Sequence, residues 1–173
     1  MSRRIFVNPG EIYFGHGDIR VETLLGSCVA ITFWHPVRHL GGLCHFLLPS
    51  RLNARTVPVV NDGRYGEEAL QQLLSEVSRH GTRIEDYAVK VFGGGRVFDS
   101  EPYKTSIGET NAHFAIGMLQ KRRIPVAVQD ITGYGYRYLR FDLSNGDVWV
   151  RRGRGIAMEK NITKPALSEG LPK

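Results

Sequence analysis

A cysteine and a histidine in the first third of the chain have the types and the spacing of a hydrolytic pair. Cys28 ends the run Thr23-Leu24-Leu25-Gly26-Ser27-Cys28, and His45 lies in the apolar run 40–48. An imidazole beside a thiol removes its proton, or pairs with the thiolate, and so makes a weakly ionised group a nucleophile at neutral pH. The pair therefore indicates cysteine-based nucleophilic catalysis.

The flanking pattern predicts a hairpin that would bring the two side chains together. Residues 29–34 alternate in the manner of a half-buried strand, and the run 40–48 follows a proline-containing turn. If that turn is centred on residues 36–37, Cys28 lies directly opposite His45, with Cβ atoms roughly 4.5–5.5 Å apart.

This register also separates the two cysteines of the chain. Cys28 shares a mixed face with His45, and Cys44 falls on the other face, where a thiol is usually a buried apolar group. A disulfide between them is not expected. The alternative is that Cys28 is a structural cysteine beside an unrelated histidine. The predicted apolar face consists of Val29, Ile31, Phe33, Leu40, Cys44 and Phe46.

Length and composition indicate a single globular domain in a reducing compartment. The chain has 173 residues, 42% of them hydrophobic, and only two cysteines. No apolar stretch is long enough to span a bilayer, and the N-terminus lacks the apolar core of a signal peptide. We therefore expect a cytoplasmic protein without membrane insertion.

The net charge of +6 is concentrated near the C-terminus. The body, residues 1–152, is predicted to be the hydrolase domain, and residues 153–173 a basic, flexible tail. Basic residues are not interleaved with aromatic ones, so nucleic-acid binding is not expected. No paired Cys or His spacing indicates a metal. The glycines 93–95 lack the Lys-Ser/Thr of a phosphate-binding loop, so no cofactor is expected.

Periodicity predicts helices over Tyr65–His80 and about Glu109–Arg122, with strands elsewhere. Asn145-Gly146 marks a further hairpin between two apolar runs. The fold class is therefore α/β (α+β): a strand-rich, single-domain sandwich flanked by helices.

Five sequence blocks occur in a fixed order and spacing over roughly residues 10–150. The blocks are Leu25-Gly26-Ser27-Cys28-Val29-Ala30, Gly41-Gly42 with His45-x-x-Leu48-Pro49, Lys90-Val91-Phe92-Gly93-Gly94, Ile107-Gly108-Glu109-x-Asn111 and Ile124-Pro125. In this order and spacing they resemble the CheD family, the glutamine deamidases of bacterial chemoreceptors.

The resemblance implies a sandwich similar to the catalytic domain of cytotoxic necrotizing factor, with Cys28 as nucleophile and His45 as general base. It also implies a third member, a threonine hydroxyl shortly before the cysteine. Thr23 is the candidate, although Glu22 occupies the position six residues before Cys28.

The activity that the resemblance implies is conversion of receptor glutamines to glutamate through a thioester, with release of ammonia, during chemotactic adaptation. The implied partners are the cytoplasmic domains of chemoreceptors and, as a second candidate, a CheC-type phosphatase. Two other functions remain open. One is a receptor methylesterase or another cysteine amidohydrolase at the same site, and the other is a non-catalytic module that regulates a CheC-type phosphatase.

Overall fold

The computed structural model describes residues 2–51, 61–97, 106–153 and 159–161. Within these ranges the chain forms ten strands, two α-helices and one short 3₁₀ turn. The helices are α1 (Gly66–Arg79) and α2 (Ile107–Lys121), and the 3₁₀ turn spans Ile84–Asp86. The strands are β1 (Arg3–Phe6), β2 (Ile12–His16), β3 (Ile19–Leu25), β4 (Val29–His35), β5 (Leu40–Phe46), β6 (Ala88–Gly93), β7 (Val126–Ile131), β8 (Arg137–Asp142), β9 (Val148–Arg152) and β10 (Glu159–Asn161).

The strands form two five-stranded sheets. Sheet I has the order β1-β3-β8-β9-β10, and sheet II has the order β2-β5-β4-β6-β7. The pairs β1–β3 and β6–β7 are parallel, and the other neighbours are antiparallel. Sequential strands β4 and β5 are adjacent in the middle of sheet II, so the hairpin that carries the candidate pair lies at the centre of the molecule.

Sheet II is buried on both faces, which explains why β5 contains no exposed residue. One face packs against sheet I through an inter-sheet core that includes Ala30, Leu43, Phe92 and Phe141. The other face is covered by α1 and α2. The predicted class, a mixed α/β single domain with a sandwich of sheets, is confirmed. The helices, however, lie on one side of the sandwich only.

Helix α1 forms where the sequence predicts it, because its apolar residues recur on one stripe. Ala69, Leu70, Leu73 and Val77 are buried against sheet II. Burial of each large side chain contributes about 1.5–3 kcal/mol. Within the described part of the chain, neither helix is long and apolar enough to cross a membrane.

The β4–β5 hairpin has the predicted faces but not the predicted register. All six residues of the predicted apolar face lie in the core beneath the helices. The ladder, however, pairs His35 with Leu40 and Ala30 with His45. The turn is therefore one residue further along than predicted, and the expected direct opposition of Cys28 and His45 is wrong.

A four-residue loop causes this difference. The ring nitrogen Nδ1 of His35 accepts hydrogen bonds from the backbone N–H groups of Val37 and Arg38, at 3.3 and 3.2 Å. His39 adopts a left-handed conformation with φ of 51° and donates its N–H to the carbonyl of His35. Each residue of β4 therefore pairs with a β5 residue two positions further along than predicted. Because side chains alternate with a period of two, every side chain keeps its predicted face.

Strand β10 lies within the segment that the sequence predicts to be a flexible tail. Its backbone pairs antiparallel with β9 and extends the edge of sheet I. Residues 154–158 and 162–173 of that predicted tail lie outside the described residues.

Candidate functional site

A threonine and a histidine from different sheets are hydrogen-bonded between the two layers. Thr23 on β3 and His45 on β5 are almost completely buried, with exposed fractions of 0% and 1%. The Thr23 hydroxyl lies 2.7 Å from Nδ1 of His45 and donates its own hydrogen to the carbonyl of Val7 at 2.6 Å. These contacts fix the plane and direction of the imidazole ring.

The bond pattern also determines which ring nitrogen carries the hydrogen. Because the hydroxyl hydrogen of Thr23 points to Val7, the hydroxyl oxygen accepts at its contact with His45. Nδ1 of His45 is therefore the protonated nitrogen, and Nε2 carries the lone pair. Nε2 is buried and has no hydrogen-bond partner among the described residues. The ring thus presents a basic atom without a partner.

Cys28 lies at the same layer of the molecule, in the short connection between β3 and β4. Its half-buried side chain packs against the inter-sheet core, the layer that His45 also faces. Continuing the ladder past Val29 would place Cys28 opposite Leu47, so His45 is its diagonal neighbour. Diagonal neighbours on one face lie roughly 7–8 Å apart at Cα, with their Cβ atoms somewhat closer.

The backbone around Cys28 is held from outside the hairpin. The N–H of Gly94 donates to the carbonyl of Cys28 at 2.8 Å, and the N–H of Gly95 donates to the carbonyl of Gly26 at 2.9 Å. With respect to the described residues, the N–H groups of Ser27 and Cys28 have no acceptor. Two free donors beside a thiol are suited to stabilising an oxyanion.

Burial keeps the candidate pair neutral at rest. It raises the pKa of the Cys28 thiol above its usual value of 9.0 and lowers the pKa of His45 from 6.5 to about 4. Both shifts oppose a resting thiolate–imidazolium ion pair. The site therefore favours an imidazole that accepts the thiol proton during attack, the role of a general base.

Glu22, the other residue considered for the third position, faces away from this layer. Its carboxylate accepts hydrogen bonds from Arg4 at 2.6 Å and from the Tyr138 hydroxyl at 2.7 Å. Thr23 points to the opposite side of β3, because neighbouring strand residues alternate. Of the two residues, Thr23 is the one that contacts His45.

Cys28 and Cys44 lie on opposite faces of sheet II, as the hairpin pattern predicts. Cys44 is completely buried, and burial raises its thiol pKa to about 12. We expect brief alkylation of the native protein to label Cys28 and to spare Cys44, because the second thiol is neither accessible nor ionised. Peptide mass mapping checks this result, and equal labelling of both would contradict it.

Two buried polar residues that contact the backbone around the site were not predicted as functional. Arg137, 1% exposed, donates to the carbonyls of Gly93 and Thr132, and Asn111, 0% exposed, donates to the carbonyl of Ser27. Asn111 belongs to one of the family blocks, which was its only signal. No signal in the sequence indicated Arg137.

Across the described ranges, no group of three His, Cys, Asp or Glu side chains could hold a metal ion.

Comparison with known proteins gives one consistent family. The family model described as CheD chemotactic sensory transduction matches residues 47–152. A relative from Pseudomonas savastanoi pv. phaseolicola, named probable chemoreceptor glutamine deamidase CheD, is 44% identical over 160 residues, 91% of this chain and 89% of its own. A Pseudomonas fluorescens protein with the same name is 43% identical over 173 residues, 98% of this chain and 96% of its own. A Dechloromonas aromatica relative, named probable chemoreceptor glutamine deamidase CheD 3, is 40% identical over 90% of this chain and 91% of its own.

Proposed function

Because this chain belongs to the CheD family, we propose that it is a protein-glutamine deamidase acting on the cytoplasmic domains of chemoreceptors. It converts glutamine side chains to glutamate and releases ammonia in the cytoplasm, as part of chemotactic adaptation. The observation that carries this proposal is the buried Nε2 of His45, which Thr23 orients and which has no partner within the described ranges, in the layer that Cys28 faces.

In the first half of the reaction, Sγ of Cys28 attacks the carboxamide carbon of the substrate glutamine. Nε2 of His45 accepts the thiol proton as the S–C bond forms, and then transfers it to the departing amine. The C–N bond breaks, ammonia leaves, and a thioester joins Cys28 to the substrate. The Nδ1–H contact with Thr23 holds the ring in the tautomer that this transfer requires.

In the second half, water attacks the thioester carbon while His45 takes its proton. The S–C bond breaks, the same proton restores the thiol of Cys28, and the substrate leaves as a carboxylic acid that releases its proton to solvent to become a carboxylate. The developing negative charge on the substrate oxygen is opposed by the N–H groups of Ser27 and Cys28, which have no acceptor in the described part of the chain. Loss of a single such donor costs about 2.7–4 kcal/mol of transition-state stabilisation in another hydrolase.

Exposed apolar side chains beside the candidate pair support a protein substrate. Leu48 follows His45 by three residues and is 45% exposed, and Tyr136, 42% exposed, lies over the Gly26 turn that precedes Cys28. Such side chains supply contact area for a protein surface.

A CheC-type phosphatase stays a predicted partner of the protein.

Incubation with a purified chemoreceptor cytoplasmic domain tests the proposed function. We expect particular receptor glutamines to gain the mass that distinguishes a carboxylic acid from an amide, with stoichiometric release of ammonia. Peptide mass spectrometry measures the first and a coupled ammonia assay the second. A receptor whose methyl esters are lost while its glutamines stay unchanged would instead favour the methylesterase alternative.

Replacing Thr23 tests the orienting hydroxyl. Thr23→Val keeps the shape but removes the hydroxyl that contacts both Nδ1 of His45 and the Val7 carbonyl, and we expect kcat to fall on the order of 10- to 100-fold. This is less than the ~10⁴-fold lost when the charged aspartate partner of a catalytic histidine is replaced. The free energy of unfolding should fall by about 1–3 kcal/mol, the cost of leaving a buried polar group unpaired.

Thr23→Ser retains the hydroxyl and serves as the matched control. Steady-state kinetics and denaturant unfolding on the same preparations separate rate from stability. If Thr23→Ser were as slow as Thr23→Val, the hydroxyl would not be the part of Thr23 that matters.

A further inference from the structure

One buried amide bridges the two backbone segments that carry Cys28 and His45. Asn111 on α2 is completely buried, and its Nδ2 group donates to the carbonyl of Ser27 at 3.1 Å and to the carbonyl of Leu47 at 2.8 Å. Ser27 directly precedes Cys28, and Leu47 follows His45 by two residues.

The bridge lies where the sheet itself no longer joins these segments. The ladder between β4 and β5 ends at the pair Val29–Phe46. Ser27 and Leu47 both lie beyond that pair, so strand pairing does not set their separation. Backbone segments beyond the last paired residues separate more readily than the paired strands themselves. The Asn111 amide joins the two segments beyond the last ladder pair.

Helix α2 is fixed against the same region by backbone contact. Gly94 has a φ of 67°, and a Cβ at this position would lie 2.6 Å from the Cβ of Ala112. A Cβ on Gly108 would meet the carbonyls of Gly94 and Gly95. The absence of both side chains lets the first turns of α2 approach the glycine turn that supports Cys28, which places Asn111 in a defined position.

The amide of Asn111 contributes through its donors. Both of its hydrogen bonds run from Nδ2, whereas Oδ1 is buried without a hydrogen-bond partner among the described residues. Its two N–H bonds satisfy the carbonyls of Ser27 and Leu47. Together with the bonds from Gly94 and Gly95, they hold three successive carbonyls, those of residues 26, 27 and 28.

We propose that Asn111 is a positioning residue that sets the separation of Cys28 and His45 by clamping the ends of their strands. Its effect on turnover rests on the proposed function. Its effect on the thiol does not, because the proximity of His45 changes the reactivity of Cys28 in the absence of a receptor.

The test uses Asn111→Asp, which keeps the shape and loses both donors, and Asn111→Leu, which loses them without adding charge. We expect kcat for receptor deamidation to fall on the order of 10- to 100-fold, the effect of a misplacement near 1 Å, with KM within about twofold of wild type. We also expect the ratio of the Cys28 alkylation rate at pH 7 to that at pH 10 to fall, because the thiol loses its base while its thiolate is unaffected.

Ala115→Gly, on the next turn of the same helix, is the control for loosening of α2. Ala115 is buried in the core beneath the helices, so this variant lowers the melting temperature without touching the clamp. It should preserve the alkylation ratio. If Asn111 had only a structural role, its variants would be alkylated faster at both pH values and would keep the same rate ratio as Ala115→Gly. That result would overturn the proposal. Absence of receptor deamidation by the wild-type protein would refute the proposed function, while the alkylation ratio would still decide the role of Asn111.

Discussion

Cys28→Ala is expected to abolish deamidation of the receptor while the protein remains folded. No other group in the candidate site can form the thioester, so the rate should fall by at least about 10⁴-fold, as for removal of a nucleophile in other hydrolases. The side chain is half-buried and small, so the free energy of unfolding should change by no more than about 1 kcal/mol. Peptide mass spectrometry of the receptor and thermal unfolding of the variant measure the two effects.

Cys44→Ala provides the matched control, because it removes the same atom from the opposite face of the same hairpin. Cys44 is completely buried, so its loss leaves a cavity and should cost more stability than the loss of Cys28. Its activity should remain close to that of wild type. Deamidation by Cys28→Ala at the wild-type rate would contradict the thioester mechanism. A wild-type protein that binds receptors without modifying them would instead favour a regulatory binding module.

His45→Ala is expected to reduce the rate of deamidation by about 10²- to 10⁴-fold, the contribution of a general base. Burial raises the pKa of the Cys28 thiol, so without the imidazole the thiol stays protonated at neutral pH. Raising the pH should restore part of the activity of His45→Ala by ionising the thiol, and should restore none in Cys28→Ala. A His45→Ala variant whose activity is independent of pH between 7 and about 10 would contradict the assigned role.

The same histidine should make folding stability depend on pH in the acid range. Burial lowers the pKa of His45 from 6.5 to about 4, so between these values the unfolded chain binds a proton that the folded protein excludes. Stability therefore falls as the pH decreases from 6.5 towards 4, by up to about 1.4 kcal/mol per pH unit. Chemical denaturation of wild type and His45→Ala at several pH values should show that this dependence is reduced in the variant.

His35→Ala is the control for loss of a buried histidine. His35 lies at the far end of the β4–β5 hairpin, where its ring nitrogen accepts two backbone N–H groups of the loop. Its replacement should lower stability and leave the deamidation rate close to wild type. A rate loss equal to that of His45→Ala would show that hairpin integrity, and not the base, limits the reaction.

The faces of the central hairpin are predictable from the sequence alone. Alternation over residues 29–34 and 40–46 assigns Cys44 and His45 to opposite faces, and the structure has Cys44 in the core beneath the helices and His45 in the layer between the sheets. This works because the two-residue period of a strand is a local property that depends only on which side chains are apolar. The amphipathic stripe of α1 is predictable for the same reason.

The register of the hairpin and the partner of the base depend on contacts that the alternation pattern does not contain. The hairpin pairs Ala30 with His45 because His35 accepts the N–H groups of a four-residue loop, a contact that the alternation pattern does not encode. The choice between Glu22 and Thr23 likewise depended on packing. Thr23 reaches His45 because β3, in one sheet, lies across from β5 in the other. Asn111 reaches Ser27 because two glycines let α2 approach the turn that supports Cys28. Each of these contacts joins residues that are distant in the chain, so only the packing of the layers brings them together.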